Sequence, residues 1–498
     1  MNECAETRSF CLLNDPWIPI AGLGEVSLTE LFTHPEYARL GGSPIEKVVI
    51  LRFLLCIAHA STPIPDVDAW SALTPEKLAE NALEYLEKWK DRFDLYDEKR
   101  PFLQFPQLRD IEKLEKNSSE WWPLSINGMQ NNTILTQMDY ATDYTESEKV
   151  RLLLSGVCYS CRRKGTKALI SYSLMGEGNG FLHSFLLGES IIQTIYLNML
   201  TDEEISGVGI FDKEGLGKPF WEWDFSNNDW IESYKNSYIG CLFPINKFLY
   251  IMGDKIVREE GIVYPEFLEG QWDPGITIFK KDNDRKALYC STEKLPWRSL
   301  GAIFEYSREN YSNAFLRYGL EHLRNNTFIK SYGLWCGGVE VNTATSKNQK
   351  ISGRKGYIES EFQIQKVETQ KSWWCKYKEL IQELSEFADE LDLKVKLYYK
   401  KMSDPAKNSE KSKNKWSPIC KAKGSEAKRL FWERMERMAQ EVIDLSVETE
   451  QDIVNSAKRK WQEVALSCYR EICPCITPRQ MQAYVQCMPT FKKKEGKK

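Results

Sequence analysis

Histidine is scarce in this chain of 498 residues, which contains only His34, His59, His183 and His322. Each stands alone in the sequence, without an HxH, HExxH or HD pattern around it. Most acid–base, metal and nucleophile chemistry uses histidine, although carboxylates and lysine can replace it. We therefore expect no enzymatic activity, no bound metal and no other cofactor.

Long hydrophobic runs are also missing. No stretch reaches the ~18 apolar residues of a membrane-spanning helix, and the acidic start MNECAE lacks the basic-then-apolar pattern of a signal peptide. Without such a signal, the 14 scattered cysteines are typical of reduced thiols. These features predict a cytoplasmic protein with no membrane partner.

Charge is divided unevenly along the chain, although the net charge is only −4. From Lys366 onward there are 28 basic and 20 acidic residues, a balance of +8. The first 365 residues hold 39 basic and 51 acidic residues, a balance of −12. Such asymmetry indicates different partners for the two parts, as in a subunit of a larger assembly.

Helix and strand signals alternate over residues 1–365, which predicts an α+β fold for a large N-terminal domain. Helix starts of the capping-box type occur at SPIE (43–46) and TESE (145–148). Strand-like runs occupy 247–252 and 275–279, and a polar turn at 280–284 links the second run to a partner strand at 287–290. Residues 101–144 and 206–236 show little periodicity and predict long loops.

Helical periodicity dominates after residue 365. The apolar pattern predicts helices over 371–401, 425–447, 449–472 and 478–488, joined by short or polar links. The simplest arrangement of four such amphipathic helices is an antiparallel four-helix bundle over residues 366–491. Residues 492–498 form a basic tail.

Two short motifs near residue 160 carry possible chemistry. Cys158-x-x-Cys161 is the CxxC pair of the chain, but a structural zinc site usually needs two such pairs, so two packed thiols explain it as well. The neighbouring Arg162, Arg163, Lys164 and Gly165 suit phosphate contact, because Arg and Lys donate to phosphate oxygens and Gly permits close backbone approach. A solvated helix end remains the alternative for this basic cluster.

A third motif, GGVEVNTATSKNQKI at 337–351, predicts a β-hairpin with a polar tip. Asn, Gln and Thr side chains can contact base edges in a DNA groove. The same residue types are ordinary in turns, so the composition alone leaves both interpretations open.

Several segments together resemble the CasA family, the large subunit of the type I-E CRISPR Cascade surveillance complex. They follow the family's order over most of the chain: NDPWIPI (14–20) with VSLTELF (26–32), WKDRFDLY (89–96), RPFLQ (100–104), NTIL (132–135), LGE (187–189), LNML (197–200), PFWE (219–222), DP (273–274) with FKKD (279–282), and WRSL (297–300). Each segment is short, and the resemblance depends on their number and order.

The resemblance implies a non-catalytic subunit of an RNA-guided complex. Its expected partners are crRNA, the backbone, handle-binding and small Cascade subunits, target double-stranded DNA and a helicase-nuclease that acts in trans. The expected roles are PAM recognition, duplex opening, R-loop stabilisation and nuclease recruitment. In such systems the protein recognises a short motif and base pairing recognises the remaining sequence.

The resemblance also implies candidate site residues. The loop at 127–144, with Asn132, Leu135, Thr136 and Gln137, corresponds to the family's element beside the crRNA 5′ handle. The family's glycine loop falls on 160–167, where this chain has the basic cluster and the single Gly165 instead. Direct phosphate contact by Arg162, Arg163 and Lys164 is therefore expected there.

Two alignments of the family's wedge hairpin compete. Counting from Gly337 places Asn342 and Thr343 at the tip, whereas matching side chains selects Asn348, Gln349 and Lys350 and needs a longer hairpin. We favour the second, because Gln is long enough to insert between separating base pairs. The family's PAM-reading lysine has no secure match. The nearest substitutes are Lys255, Lys280 and Lys281.

Two other functions fit the sequence. One is a thiol-dependent enzyme that modifies nucleic acid through Cys158 and Cys161. The other is a pure scaffold subunit that holds the complex together without touching DNA.

Overall fold

The chain divides into two compact units, Met1–Lys366 and Val367–Lys498. The computed structural model describes residues 8–110, 118–119, 144–158, 180–225, 228–253, 255–265, 270, 272–281, 284–306, 313–326, 329, 331–342, 353–365, 371–403 and 416–491.

Two helices near the N-terminus begin at serine capping boxes: α1 (Leu28–Thr33) after Ser27 and α2 (Pro44–Ser61) after Ser43. In α2 the Ser43 hydroxyl accepts from the Glu46 amide and the Glu46 carboxylate accepts in return, which confirms the predicted helix start. All residues from 48 to 59 are buried, because α2 is apolar nearly all round. This helix forms a large part of the core of the first unit.

The other helices of the first unit are shorter and connect the sheets. They are α3 (Val67–Ala72), α4 (Pro75–Lys88), α5 (Glu146–Cys158), α6 (Ile191–Leu197), α7 (Asp202–Ser206), α8 (Trp230–Lys235), α9 (Tyr238–Leu242), α10 (Leu300–Tyr306) and α11 (Ala314–Asn325). The predicted capping box before α5 is present, since the Thr145 hydroxyl accepts from the Glu148 amide at 3.2 Å.

Four small antiparallel sheets complete the first unit in the described residues. Their strands are β1 (Ile18–Ile20), β2 (Gly24–Val26), β3 (Ser118–Ser119), β4 (His183–Leu187), β5 (Lys247–Met252), β6 (Lys255–Glu260), β7 (Ile278–Lys281), β8 (Asp284–Ala287), β9 (Ser331–Asn342) and β10 (Gly353–Gln365). The strand orders are β1–β2, β10–β9–β4, β3–β6–β5 and β7–β8. The prediction of β5 is confirmed at both ends.

Aromatic rings from distant segments meet around Phe53 of α2. Their ring centroids lie 5.5–6.5 Å from that of Phe53, in edge-to-face geometry, and all are buried: Trp17, Phe93, Phe102, Trp221 and Phe243. Edge-to-face contacts of this kind add stability beyond the buried area. The cluster therefore joins the N-terminal segment to the region around residue 220.

Two sequence predictions for the first unit need correction. The second predicted strand pair lies closer to its turn than expected, so Lys280 and Lys281 belong to β7 and not to the turn. Charged residues occupy most of the paired positions in this hairpin, so the sequence shows no apolar alternation there that would mark the strands. The predicted loop at 206–236 contains secondary structure, namely a 3₁₀ turn at Phe220–Glu222 and helix α8. Trp221 of the turn and Trp230 of the helix are buried.

The described residues of the second unit form helices and the links between them. The helices are α12 (Lys371–Met402), α13 (Pro418–Glu436), α14 (Ala439–Leu445), α15 (Gln451–Ile472) and α16 (Pro478–Cys487). The buried side of α12 repeats every three or four residues, as the sequence predicts: Tyr377, Leu380, Leu384, Phe387, Leu391, Val395 and Tyr398. Helix α12 packs against α13, α15 and α16. The antiparallel four-helix arrangement stays a prediction.

The prediction of one continuous helix over 425–447 is wrong in both its start and its continuity. The helix begins earlier, at Pro418, because Ser417 and Pro418 form a helix start in which the Ser417 hydroxyl accepts from the Cys420 amide at 3.3 Å. It is then interrupted at Arg437 and Met438, and α14 follows. None of the helices in the described parts of the chain combines the length and apolarity needed to cross a membrane.

Candidate nucleic-acid interface

The predicted hairpin is present, with a longer stem than the motif indicates. Strands β9 and β10 pair from Ser331 opposite Gln365 to Asn342 opposite Gly353, and a bulge lies between Arg354 and Gly356. The ten residues 343–352 join the strands and lie outside the described residues. They include Thr343, Asn348, Gln349 and Lys350. Asn342 is the last paired residue of β9, so it belongs to the stem.

The base of the hairpin is held by a neighbouring strand and by helix α2. Strand β4 pairs with β9 from Gly333 to Gly337. The Trp335 indole donates to Glu359 Oε1 at 2.7 Å, and Lys47 of α2 contacts the same carboxylate. Alternate residues of β10 are buried, which fixes the pairing register, since a one-residue slip would expose them. This part of the hairpin is therefore a rigid support.

The strand neighbours of the hairpin change at Gly338. In the described residues, β4 ends opposite Gly337, so the residues from Gly338 to Asn342 have β10 as their sheet neighbour. Gly338 has φ +151°, and a Cβ there would lie 2.8 Å from Cys290 Sγ and 2.9 Å from the Phe181 carbonyl oxygen. Glycine is required here by conformation and by space. The outer stem begins at this residue.

A basic hairpin lies on the chain segment beside this stem. In β7 and β8, Lys280 is opposite Arg285 and Lys281 is opposite Asp284, and both lysines are exposed. Like charges directly opposite each other destabilise a strand pair. The segment after β8 then reaches the stem, because the Thr292 amide donates to Glu340 Oε2 at 2.6 Å.

Gly180, which follows the segment that carries the basic cluster, is held by the chain between β8 and the stem. The Cys290 amide donates to the Gly180 carbonyl at 2.8 Å, and the Leu182 amide donates to the Leu288 carbonyl at 2.9 Å. Arg162, Arg163, Lys164 and Gly165 lie outside the described residues. The structure thus brings together the outer stem, the basic hairpin and Gly180, which lies 13 residues after Lys167 at the end of the predicted phosphate-contacting loop.

The predicted crRNA-handle loop departs from a different sheet. Before it, the Arg109 guanidinium donates to the Tyr250 hydroxyl of β5 at 2.5 Å and lies 4.9 Å from that ring. Also before it, Ser118 and Ser119 form β3, which pairs with β6. Asn132, Leu135, Thr136 and Gln137 are outside the described residues, as are most of the others between 111 and 143.

A buried ion pair, which the sequence did not predict, contacts strand β4 beside the base of the hairpin. Arg52 of α2 donates to both carboxylate oxygens of Asp273, at 2.7 and 3.0 Å, and the two side chains are 1% and 0% exposed. Arg52 also donates to His183 Nδ1 of β4 at 3.2 Å, since a guanidinium has no acceptor. Burial lowers the pKa of His183 to about 3, so its imidazole is neutral.

The Asp273 carboxylate also organises the neighbouring backbone. It accepts from the Gly275 amide at 2.8 Å, and the Gly275 carbonyl accepts from the Ser184 amide at 2.8 Å. Asn313, at the start of α11, donates to the Ser184 and Gly275 carbonyls at 2.9 Å. A single Arg inside the apolar run VVILRFLL (48–55) was the signal for this network, because a buried charge requires a partner.

The cysteine pair gives no support to thiol chemistry. Cys158 is buried at the end of α5, and burial raises the pKa of its thiol well above the ordinary value. A neutral buried thiol is a poor nucleophile and metal ligand. Cys161 is outside the described residues. Within the described ranges, no group of three or more His, Cys, Asp or Glu side chains is arranged to hold a metal ion.

The sequence matches the family model described as CRISPR-associated protein Cse1 over residues 12–471. The chain belongs to the Cse1 family, also called CasA. A curated relative, CRISPR-associated protein CasA/Cse1 of Thermus thermophilus, is 33% identical over 118 residues. That match spans 22% of this chain and 23% of the relative.

Two solved structures extend the comparison to the whole Cse1 fold. Thermobifida fusca Cse1 has a TM-score of 0.73 at 15% identity, covering 96% of this chain and 97% of that one. A chain from a CRISPR RNA-guided surveillance complex has a TM-score of 0.65 at 16% identity, covering 96% and 99%. The chain therefore has the mixed helix and sheet architecture of Cse1 proteins.

Proposed function

We propose that this Cse1 protein is the non-catalytic large subunit of a type I-E RNA-guided surveillance complex, Cascade. In this role it recognises the PAM in double-stranded DNA, helps to open the duplex and stabilises the R-loop. It assembles with crRNA and the backbone, handle-binding and small subunits, and recruits a helicase-nuclease that cuts in trans. Family membership over residues 12–471 and the fold shared with a surveillance-complex chain support the assignment.

The observation that carries the DNA-opening role is the outer stem of the β9–β10 hairpin. Its inner half is held by β4 and α2, whereas its outer half, from Gly338, ends in ten polar-rich residues at 343–352. The middle of the link between the last paired residues, Asn342 and Gly353, falls between positions 347 and 348. This supports the longer hairpin, with Asn348, Gln349 and Lys350 at its tip, as the wedge.

Phosphate contacts would come from two basic groups. Lys280 and Lys281 lie exposed on β7, and Arg162, Arg163 and Lys164 belong to the segment that ends at Gly180. Such contacts position a duplex without recognising its sequence. The candidates for PAM contact are Lys255, Lys280 and Lys281, and those for the crRNA handle are Asn132, Leu135, Thr136 and Gln137.

The salt dependence of target capture by the reconstituted complex tests these contacts. Replacing Lys280 and Lys281 with Ala should weaken capture of all targets and reduce the slope of log affinity against log salt by up to about 2. The Arg162, Arg163 and Lys164 triple variant should reduce it by up to about 3. The matched control is Lys77→Ala with Lys88→Ala, which removes two exposed charges from α4 and should leave the slope unchanged.

Crosslinking of the same complex separates this function from a pure scaffold. We expect crosslinks from this subunit to target DNA as well as to crRNA and protein. Crosslinks only to RNA and protein, with unchanged salt slopes in both basic variants, would assign a scaffold role instead. The isolated chain should bind duplex DNA with a dissociation constant weaker than about 10⁻⁸ M at physiological salt, because its net charge is negative.

A further inference from the structure

A half-open cavity of about 150 Å³ lies in the first unit, away from the β9–β10 hairpin residues. Its walls come from the segment 92–107 and from residues 220–225, two stretches that the first-unit aromatic core holds together. A cavity of about this volume accommodates one six-membered aromatic ring. The opening leaves room for the rest of a larger ligand to extend into solvent.

Aromatic side chains form the floor and one wall of this cavity. Phe102 and Trp221 are buried, with Phe220 between them at centroid distances of 5.6 and 4.9 Å. Trp223 and Phe225 are only partly buried at the wall. Partly exposed aromatic rings are the surfaces on which unpaired bases stack.

Three basic side chains form the opposite rim: Arg92, Lys99 and Arg100. One acidic residue, Asp224, lines the cavity and accepts from Arg100 at 3.3 Å. Arg92 is a partly buried guanidinium, and both its burial and the charge of Arg100 lower its pKa. Asp91, Asp97 and Asp224 oppose this shift of the Arg92 pKa and compensate part of the positive charge. The cavity lining still holds three basic side chains against one acidic side chain, a balance that a bound anion would complement.

Backbone strain is found in the same wall. Among the described residues, Leu103 is the non-glycine residue with positive φ, at +54°, and it is buried against the cavity. A non-glycine residue is strained in this conformation, because its Cβ lies too close to the following carbonyl oxygen. Strained residues of this kind cluster at ligand sites, where the surrounding structure maintains them.

We propose that this cavity binds one unstacked nucleotide of single-stranded RNA, with the base against the partly exposed rings of Trp223 and Phe225 and a phosphate at the basic rim. The choice of RNA rests on the proposed function, because Gln107 of the cavity wall precedes, along the chain, the loop at 127–144 that we assign to the crRNA handle. The nucleotide site itself rests on the aromatic wall, the charged rim and the cavity volume.

Binding of uridine 5′-monophosphate to the full chain labelled with 5-fluorotryptophan tests the site. We expect the ¹⁹F signals of Trp221 and Trp223, assigned with single Trp→Phe variants, to shift with this nucleotide. Uridine or inorganic phosphate alone should bind more weakly, since each occupies half of the site. Arg92→Ala with Arg100→Ala should weaken nucleotide binding by at least about tenfold, through loss of charge-assisted hydrogen bonds.

Matched variants control for folding and for general charge. Lys77→Ala with Lys88→Ala removes the same charge from α4 and should leave nucleotide affinity unchanged. Trp223→Phe should keep most of the affinity and Trp223→Ala should lose it, because the contact is made by a ring. Equal losses in the α4 control, or no shift of either Trp signal at saturating nucleotide, would overturn the site.

Photocrosslinking identifies the strand that supplies the nucleotide. In the reconstituted complex, 5-iodouridine at single positions of the crRNA handle should crosslink to Trp223 or Phe225. Crosslinks there only from 5-iododeoxyuridine in target DNA would overturn the RNA assignment. If the complex assembles and opens duplex DNA while the nucleotide fails to bind, this inference is wrong and the proposed function stands. If the nucleotide binds but the chain does not assemble with crRNA, the reverse holds.

Discussion

The Arg52–Asp273 pair is the most informative contact of this protein at the scale of single residues. It joins α2 to the segment before β7, and through His183 it reaches β4, which pairs with the base of the hairpin. The sequence contains its signal, an Arg in an apolar helix, but the partner is 221 residues away. No local rule selects one carboxylate among many at that separation, so the pair was not predictable.

Removing one member of this pair should be strongly destabilising. Arg52→Met leaves the Asp273 carboxylate buried without its main partner, and we expect a loss of about 3–5 kcal/mol in the free energy of unfolding. Urea denaturation followed by tryptophan fluorescence measures it. The exposed Lys77–Glu80 pair is the control, since Lys77→Ala should cost less than about 1 kcal/mol. A similar small loss for both variants would contradict the supporting role of Arg52.

Two buried histidines predict a pH dependence of stability. Burial lowers the pKa of both His59 and His183 to about 3, below the unfolded value of about 6.5. The unfolded chain therefore binds protons that the native chain cannot, and stability falls as pH drops from about 6.5 toward 3. Each histidine should cost about 2 kcal/mol between pH 7 and pH 5.

Comparison of unfolding free energies at pH 7 and pH 5 tests this prediction. The variant His59→Gln with His183→Gln should lose most of the decline seen in the natural chain. His34→Gln is the control, because His34 is 46% exposed, and it should leave the decline unchanged. A decline of the same size in all three proteins would assign the pH dependence to other groups.

At the scale of elements, capping signals and strong periodicity were reliable guides. The starts of α2 and α5, strand β5 and the existence of the β9–β10 hairpin follow from local rules of capping and alternation. Strand β6 was missed and β7 was displaced, because charged residues interrupt their apolar pattern. The extent of the hairpin stem depends on β4, whose pairing with β9 is not local.

Gly338 divides the hairpin into its supported and outer halves, and its replacement should disturb that boundary. Gly338→Ala adds a Cβ against Cys290 and Phe181 in a conformation that disfavours side chains. Gly253→Ala is the matched control, since Gly253 has φ +59° with no atom within 4 Å of its Cβ position. Both variants carry a conformational cost, and only Gly338→Ala adds overpacking, which costs roughly 1–3 kcal/mol. Urea denaturation should show that difference, and equal losses would contradict it.

At the scale of the whole molecule, the candidate interface is assembled from parts far apart in sequence. The segment ending at Gly180, the β7–β8 hairpin and the outer stem from Gly338 meet through backbone hydrogen bonds of residues 288–292. Strand and turn patterns predicted the two hairpins, and the family resemblance assigned phosphate contact to the basic cluster at 162–164. The convergence of these parts required the fold, since it depends on contacts between residues 48 to 110 positions apart.

Duplex opening by the reconstituted complex is the most direct test of the proposed function. Gln349→Ala should leave assembly with crRNA and the other subunits intact but sharply reduce opening of a fully paired target, followed by 2-aminopurine fluorescence. A target already melted at its first PAM-proximal pairs should bind almost normally, because the unstacking cost of a few kcal/mol is already met. Thr343→Ala, the control for the shorter alignment, should behave as the natural chain. A rescuable defect in Thr343→Ala alone would move the wedge to that position, and normal opening by both variants would contradict a wedge in this hairpin.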